Sequence, residues 1–288
     1  MRTLPFKLRW RRPDRRQLWL ALAALLSIHS LVVSGLTQGP EDAVNVLLVW
    51  AGAYMVLDDL GHDWQPRPSR LGLWAGVVLI VAALLRSQQL TTLDVTSSVL
   101  PLMAGLGLAL LAKPPRRLGS LRRALVSLAL LLVMRLLMVV IPVGWLSTVT
   151  ARVTMVVLQL LGLQAQVEAD VVRLPGGGVE VMGPCSGIGM VAQLVGVALI
   201  FWLAFPMRHR WQNALMVAVA PLLAVLANAI RIGILAMITV SSLSGKDWWF
   251  DFFHEAEGSL VFAGMAVLAF AWLYGWWIEW QVQQMEGL

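Results

Sequence analysis

The chain has 288 residues, 59% of them hydrophobic and only 13% charged, with a mean hydropathy of +0.76. That is more apolar side chain than one water-soluble core can bury. A net charge of +6 would suit a nucleic-acid binder, but the basic residues stand in short blocks between apolar stretches, the pattern that reports membrane orientation, so nucleic acid is not implied. A single cysteine excludes an intrachain disulfide and leaves that thiol as either a small buried hydrophobe or a reactive group. Apolar stretches of about 18 residues recur, each long enough to cross a hydrocarbon core of about 30 Å as a helix. The pattern predicts an all-α polytopic membrane protein, one membrane domain over 1–288.

The amino-terminal arm, 1–17, carries Arg2, Lys7, Arg9, Arg11, Arg12, Arg15 and Arg16, which by the positive-inside rule places it in the cytoplasm. The first span, 18–36, is long and lacks a small-residue cleavage pattern, so it is expected to stay attached. An acidic turn, 38–42, leads outside to span two, 43–57. The connection 58–70, with Pro66 and Pro68, returns to the cytoplasm. Its Asp58, Asp59, His62 and Asp63 have the composition of a metal cluster but no defensible ligand spacing, and read as a solvated loop. Span three, 71–85, an outer polar loop, 86–98, and span four, 99–112, follow. Gly72, Gly76, Gly105 and Gly107 read as helix-contact positions. The block from Lys113 to Arg123 is the strongest internal basic segment and marks a second cytoplasmic loop. Span five, 124–143, contains Arg135, a charge costly in lipid that must face a polar interior, pair with Glu168 or Asp170, or touch substrate.

Residues 144–184 break the pattern. The apolar run 149–163 is interrupted by Arg152 and Gln159, which predicts a helix lying at the interface or re-entering. Alternation over 165–172 and 179–182 around Leu174-Pro-Gly-Gly-Gly178 predicts a small outer β-hairpin. Span six, 185–206, runs in to the basic loop Arg208, His209, Arg210, and span seven, 213–240, runs out. The outer loop 241–257 holds Trp248, Trp249, Phe250, Phe252 and Phe253, as expected of an aromatic belt at headgroup depth. Span eight, 258–277, returns inside. Eight spans with both termini cytoplasmic put 185–288 in position to carry the chemistry. His29 and His209 read as structural.

In that threading Cys185 begins span six on the outer face, and His254 precedes span eight on the same face. Arg231 lies 18 residues past Asn213, about 27 Å along a helix, and so reaches the same level. A thiol at a helix start faces unpaired amides, and those of Ser186 or Gly187 suit a developing oxyanion. An imidazole such as His254 can exchange the proton, and Arg231 keeps its charge at any working pH. Asn228, one turn before Arg231, is placed to orient something in such a site. Each residue alone has a plainer reading, as a buried thiol, a snorkelling arginine and an interfacial histidine. Their combination carries the site.

Pro184-Cys185-Ser186-Gly187-Ile188, Asn228-Ala-Ile-Arg231-Ile232 and His254 followed by Gly258 resemble, in order, the three motifs of the exosortase and archaeosortase family. The approach, Ile141-Pro142, a short helix, Leu161-Gly162-Leu163 and a hairpin, is similar too, and the likeness runs from about 141 to 270. Pro184 is similar to the cyanobacterial-type subgroup. Gly189-Met190 stand where the family commonly has a polar residue. The resemblance implies an inner-membrane cysteine protease or transpeptidase that cleaves carboxy-terminal sorting tails of secreted proteins outside the membrane. Such tails combine a Pro-Glu-Pro-like signal, an apolar span and a basic end. Carried over, Cys185 is the acyl-forming nucleophile, Arg231 the essential cation and His254 the proton-transfer residue. Ser186, Gly187, Asn228, Arg135 and Glu257 are supporting or substrate-binding candidates, with no metal or cofactor implied. The alternatives are a transporter or flippase, whose Arg135 and Arg231 would line a path, or a non-catalytic scaffold for polysaccharide or protein export.

Overall fold

In a computed structural model of the chain, residues 14–57, 66–89 and 95–286 are described. Most of the basic arm and the Asp58–Asp63 cluster lie outside them. The elements run α1 (Arg15–Gln38), α2 (Pro40–Leu57), α3 (Arg70–Ser87), α4 (Leu100–Ala112), α5 (Arg122–Val140), α6 (Val143–Leu160), three strands, α7 (Ile188–Ala204), α8 (Arg210–Val240), α9 (Lys246–His254) and α10 (Ala256–Glu286). Asp14 caps α1 by accepting from the Gln17 amide, and Ser69 caps α3 through the Gly72 amide, as helix starts require.

Among the described residues six helices are long and apolar enough to cross a membrane, namely α1, α3, α5 with its preceding turn, α6, α8 and α10, while α4 and α7 are shorter apolar helices. That is fewer than the eight spans expected. The bundle turns apolar side chains outward as well as inward: Leu25, Trp74, Leu222, Leu268 and Trp272 are all largely exposed on it. This arrangement suits lipid, not water.

One half of the core joins α1, α2, α4 and α5 around Val49, Trp50, Leu108 and Leu128, and the other joins α7, α8 and α10 around Leu194, Met216, Phe262 and Phe270. Gly196 of α7 abuts Met134 of α5, and Gly52 of α2 abuts Ser127 of α5 and Ile200 of α7. The glycine contacts are as expected: a side chain at Gly76 would fall 2.8 Å from the Gly107 carbonyl, so α3 and α4 pack backbone to backbone.

Three local expectations change. The strand run 165–172 breaks at Ala169, which has φ +56°, giving a three-stranded antiparallel sheet, β1 (Gln166–Glu168), β2 (Val171–Leu174) and β3 (Gly177–Glu180), in place of a hairpin. Pro175 and Gly176, the latter at φ +97°, make the predicted glycine turn. The outer loop 241–257 contains a helix, α9, along which Trp248 stacks on Phe252 and Trp249 on Phe253 at four-residue spacing. The 149–163 helix starts at Val143 instead, after the break at Ile141-Pro142. Thr154 meets Ala229 and Leu158 meets Gly233, so α6 lies along the second half of α8 in the same sense.

Candidate active site

The approach to Cys185 begins with the sheet. Val172, Val179 and Val181 bury one of its faces against Leu158, Ile232, Leu235 and Cys185, fixing the chain where β3 ends. A 3₁₀ turn, Gly183–Ser186, then carries Cys185, and its amide donates to the Met182 carbonyl. Span six was expected to begin at Cys185, but α7 starts at Ile188. The sulfur therefore sits on a turn of its own before the helix.

Gly187 makes that corner possible. Its φ of +85° is left-handed, and a side chain there would lie 2.6 Å from Asn228 Nδ2, so both conformation and space demand glycine. Asn228 Nδ2 in turn donates to the Cys185 carbonyl at 2.9 Å. On the other flank, Thr150 of α6 donates to the Ser186 carbonyl at 3.0 Å. Ser186, Asn228 and Thr150 are fully buried. The turn that carries Cys185 is thus held from α6 and α8 at once.

His254 arrives on the last residue of α9, with Phe250 stacked on its ring. Cys185 Sγ lies 3.5 Å from His254 Nδ1, within reach of a sulfur hydrogen bond. The thiol is 3% exposed, whereas His254 is exposed. Gly258 lets α10 start directly against α9: a side chain there would fall 2.5 Å from the Phe252 carbonyl.

Arg231 ties the two together. It is 2% exposed, and its Nε donates to the Phe253 carbonyl at 2.7 Å, one terminal nitrogen to the His254 carbonyl at 2.7 Å, and the other to Asn228 Oδ1 at 3.3 Å. These carbonyls belong to the end of α9, where partners within the helix run out. One guanidinium therefore clamps the helix end that presents the imidazole and, through Asn228, the turn that presents the sulfur.

Burial pushes the Cys185 thiol up from its ordinary value, and the Arg231 charge offsets only part of that. A proton acceptor beside such a sulfur eases its deprotonation, and His254 Nδ1 lies within hydrogen-bond reach of it.

Beside this group a cavity of about 440 Å³ opens among α2, α5, α7, α8 and α10, lined by Glu41, Asp42, Arg135, Gln193, Asn228 and Arg231. The first turn of α7, whose amides have no partner within the helix, also faces it. Arg135 pairs with Asp42 at 3.0 Å, not with Glu168, which pairs with Arg173 at 2.8 Å, nor with Asp170. Glu257 stands exposed in the first turn of α10, outside the hydrogen-bonded set. His29 bonds Ser87 between α1 and α3, and His209 caps α8; both are structural, as expected. Thr150 and Asp42 escaped the sequence reading. Thr150 and Thr154 at four-residue spacing in an apolar helix were the available signal for the first, and the need of a buried Arg135 for an acid at its own depth was the signal for the second.

The model of the transmembrane exosortase family matches residues 36–271. The chain belongs to that family. The match runs from the end of α1 through α2 to α9 and into α10, and with six long apolar helices among the described residues it makes this exosortase-family chain a multi-pass membrane protein. No curated protein and no solved structure matches the chain.

Proposed function

We propose that this exosortase-family protein is a membrane cysteine protease or transpeptidase that cuts carboxy-terminal sorting tails of secreted proteins at the outer face of the bacterial inner membrane. The observation that carries the reading is the 3.5 Å approach of Cys185 Sγ to His254 Nδ1, with Arg231 bonded to the carbonyl of that same histidine. As the sulfur attacks a substrate carbonyl and the C–S bond forms, the thiol proton passes to Nδ1. His254 returns it to the leaving amine as the C–N bond breaks, which leaves a thioester on Cys185. A second nucleophile, water or an amine, then gives its proton to His254 as it attacks the thioester, and the sulfur leaves and takes that proton back as the C–S bond breaks. Arg231 acts on this chemistry chiefly by holding the α9 end, and the adjoining cavity gives the substrate segment a polar entry at the same level. Ser186, Gly187 and Asn228 build the turn, and Arg135 lines the entry.

Positive-inside asymmetry supports the orientation. Arg122, Arg123, Arg208 and Arg210 gather around one cavity at the far end of α5, α7 and α8 from Cys185, which favours a reading in which the sulfur's face is the outer one.

The test is Cys185→Ala and Cys185→Ser at normal membrane levels with a reporter ending in a Pro-Glu-Pro-like signal, an apolar span and a basic tip. Both variants are expected to lose tail cleavage at least about 1,000-fold, the scale of removing a covalent nucleophile. Retained cleavage in Cys185→Ala overturns the assignment.

A further inference from the structure

Two side-chain amides that line the cavity beside Cys185, Asn45 of α2 and Gln193 of α7, have no part in the proposed chemistry. Gln193 is only 7% exposed and forms no hydrogen bond among the described residues. Asn45 Oδ1 is buried and equally without a partner there. Their register pairs them. Both helices begin at the cavity, with Pro40 and Ile188 in its lining, and each amide follows five residues after its helix start, about 7.5 Å along the axis. Seven residues further on, two turns that bring back nearly the same face, Gly52 of α2 abuts Ile200 of α7. The α2–α7 seam is therefore closed at Gly52 and open at the amides, which share the cavity at one depth. Unpaired polar groups at that depth in a membrane chain are costly, and they point to a ligand that brings donors and acceptors of its own.

We propose that Asn45 and Gln193 are positioning residues that hydrogen-bond the backbone of the substrate tail about two residues beyond the bond to be cut. The inference rests on the tail cleavage proposed above. Each side-chain amide offers an acceptor and two donors, which matches the N–H and C=O of an extended peptide. A helical segment has already spent those groups on itself, and a carboxylate side chain could use only the donors. An extended chain advances about 3.3 Å per residue, so the depth of the pair below the helix starts corresponds to about two residues of tail. Met138 of α5 with Leu260 and Ala263 of α10 make an apolar wall of the same cavity, against which the side chains of that stretch can lie while its backbone meets the amides. The feature recognised is thus a short unwound stretch of main chain where the apolar span of the tail leaves the membrane. Held there, the tail cannot wind into a helix up to the cut, and the carbonyl to be attacked stays at the height of Cys185.

The experiment is binding of a dye-labelled peptide, a Pro-Glu-Pro-like signal with the first few residues of the apolar span, to the full-length Cys185→Ala chain in detergent, read by fluorescence anisotropy. Adding Asn45→Leu/Gln193→Met, which keeps size and removes both amides, should weaken binding at least about tenfold, the scale of two hydrogen bonds. Unchanged affinity, or no binding by the Cys185→Ala chain, overturns the proposal. The unfolding midpoint of the same variant without peptide should hold or rise, because two unpaired buried amides are gone. A fall of several degrees would make the pair structural and would also overturn it. Esters placed one at a time in the peptide backbone remove a donor without touching the protein. One position, about two residues past the cut, should lose about fivefold or more, and a peptide insensitive at every position overturns the proposal even if the variant fails to fold. Amide-dependent binding supports the pair whether or not the wild-type chain cleaves its reporter, so absent cleavage sinks the proposed function alone.

Discussion

Arg231 is the residue on which the site's geometry turns. Its fork spans two neighbouring carbonyls at 2.7 Å, which a single ammonium on a flexible stem cannot do with the same geometry. Arg231→Lys keeps the charge and loses one of those bonds. A hydrogen bond to a charged group contributes about 1.5–3 kcal/mol, so reporter cleavage should fall about 10- to 100-fold with unchanged membrane levels. A wild-type rate in that variant would mean that charge alone suffices. Cys185 offers an independent check. Since burial raises its thiol above the usual value, the thiolate fraction at neutral pH lies below that of an exposed cysteine. Alkylation by iodoacetamide should therefore reach half its limiting rate above about pH 8.5, the midpoint of an ordinary thiol. A midpoint at or below that pH would contradict a raised thiol.

At the scale of elements, ion pairs that look alike on paper do different work. Asp42 and Arg135 join α2 to α5 with side chains 16% and 14% exposed, whereas Glu168 and Arg173 join β1 to β2 at 67% and 58%. Breaking the first leaves a guanidinium largely desolvated, which costs up to about 3 kcal/mol; breaking the second costs about 0–1 kcal/mol. Asp42→Asn should lower the thermal unfolding midpoint by several degrees in detergent, and Glu168→Gln should leave it within about a degree. Equal shifts would remove the argument from burial. The pair also lines the entry cavity, so Asp42→Asn should slow cleavage as well.

The whole molecule sorts its chemistry by height. Thiol, imidazole and their arginine clamp sit at one end of the bundle, and the arginine-rimmed cavity sits at the other. In a Cys185→Ala background, Ser244→Cys beyond α8 should react with an impermeant maleimide in intact spheroplasts. Ser120→Cys before α5 should react only after permeabilisation. Both positions are exposed, so the reverse pattern would invert the topology and move the proposed cleavage to the cytoplasm.

The helical class, the approximate positions of most apolar segments and the shared level of Cys185, Arg231 and His254 were legible in the sequence. Hydrophobic length and charge asymmetry are properties of consecutive residues, and rise per residue converts them directly into depth. The break at Ala169, the α9 helix and the Arg135–Asp42 pair were not, because each depends on which surfaces meet: sheet on α6 and α8, aromatic ladder on α10, α2 on α5. What a depth argument cannot supply is the lateral direction of a side chain. Only packing turned Arg231 toward the carbonyls of Phe253 and His254, and only the sheet's burial against α8 laid the thiol beneath the imidazole, since contacts between segments far apart in the chain leave no periodic trace along it.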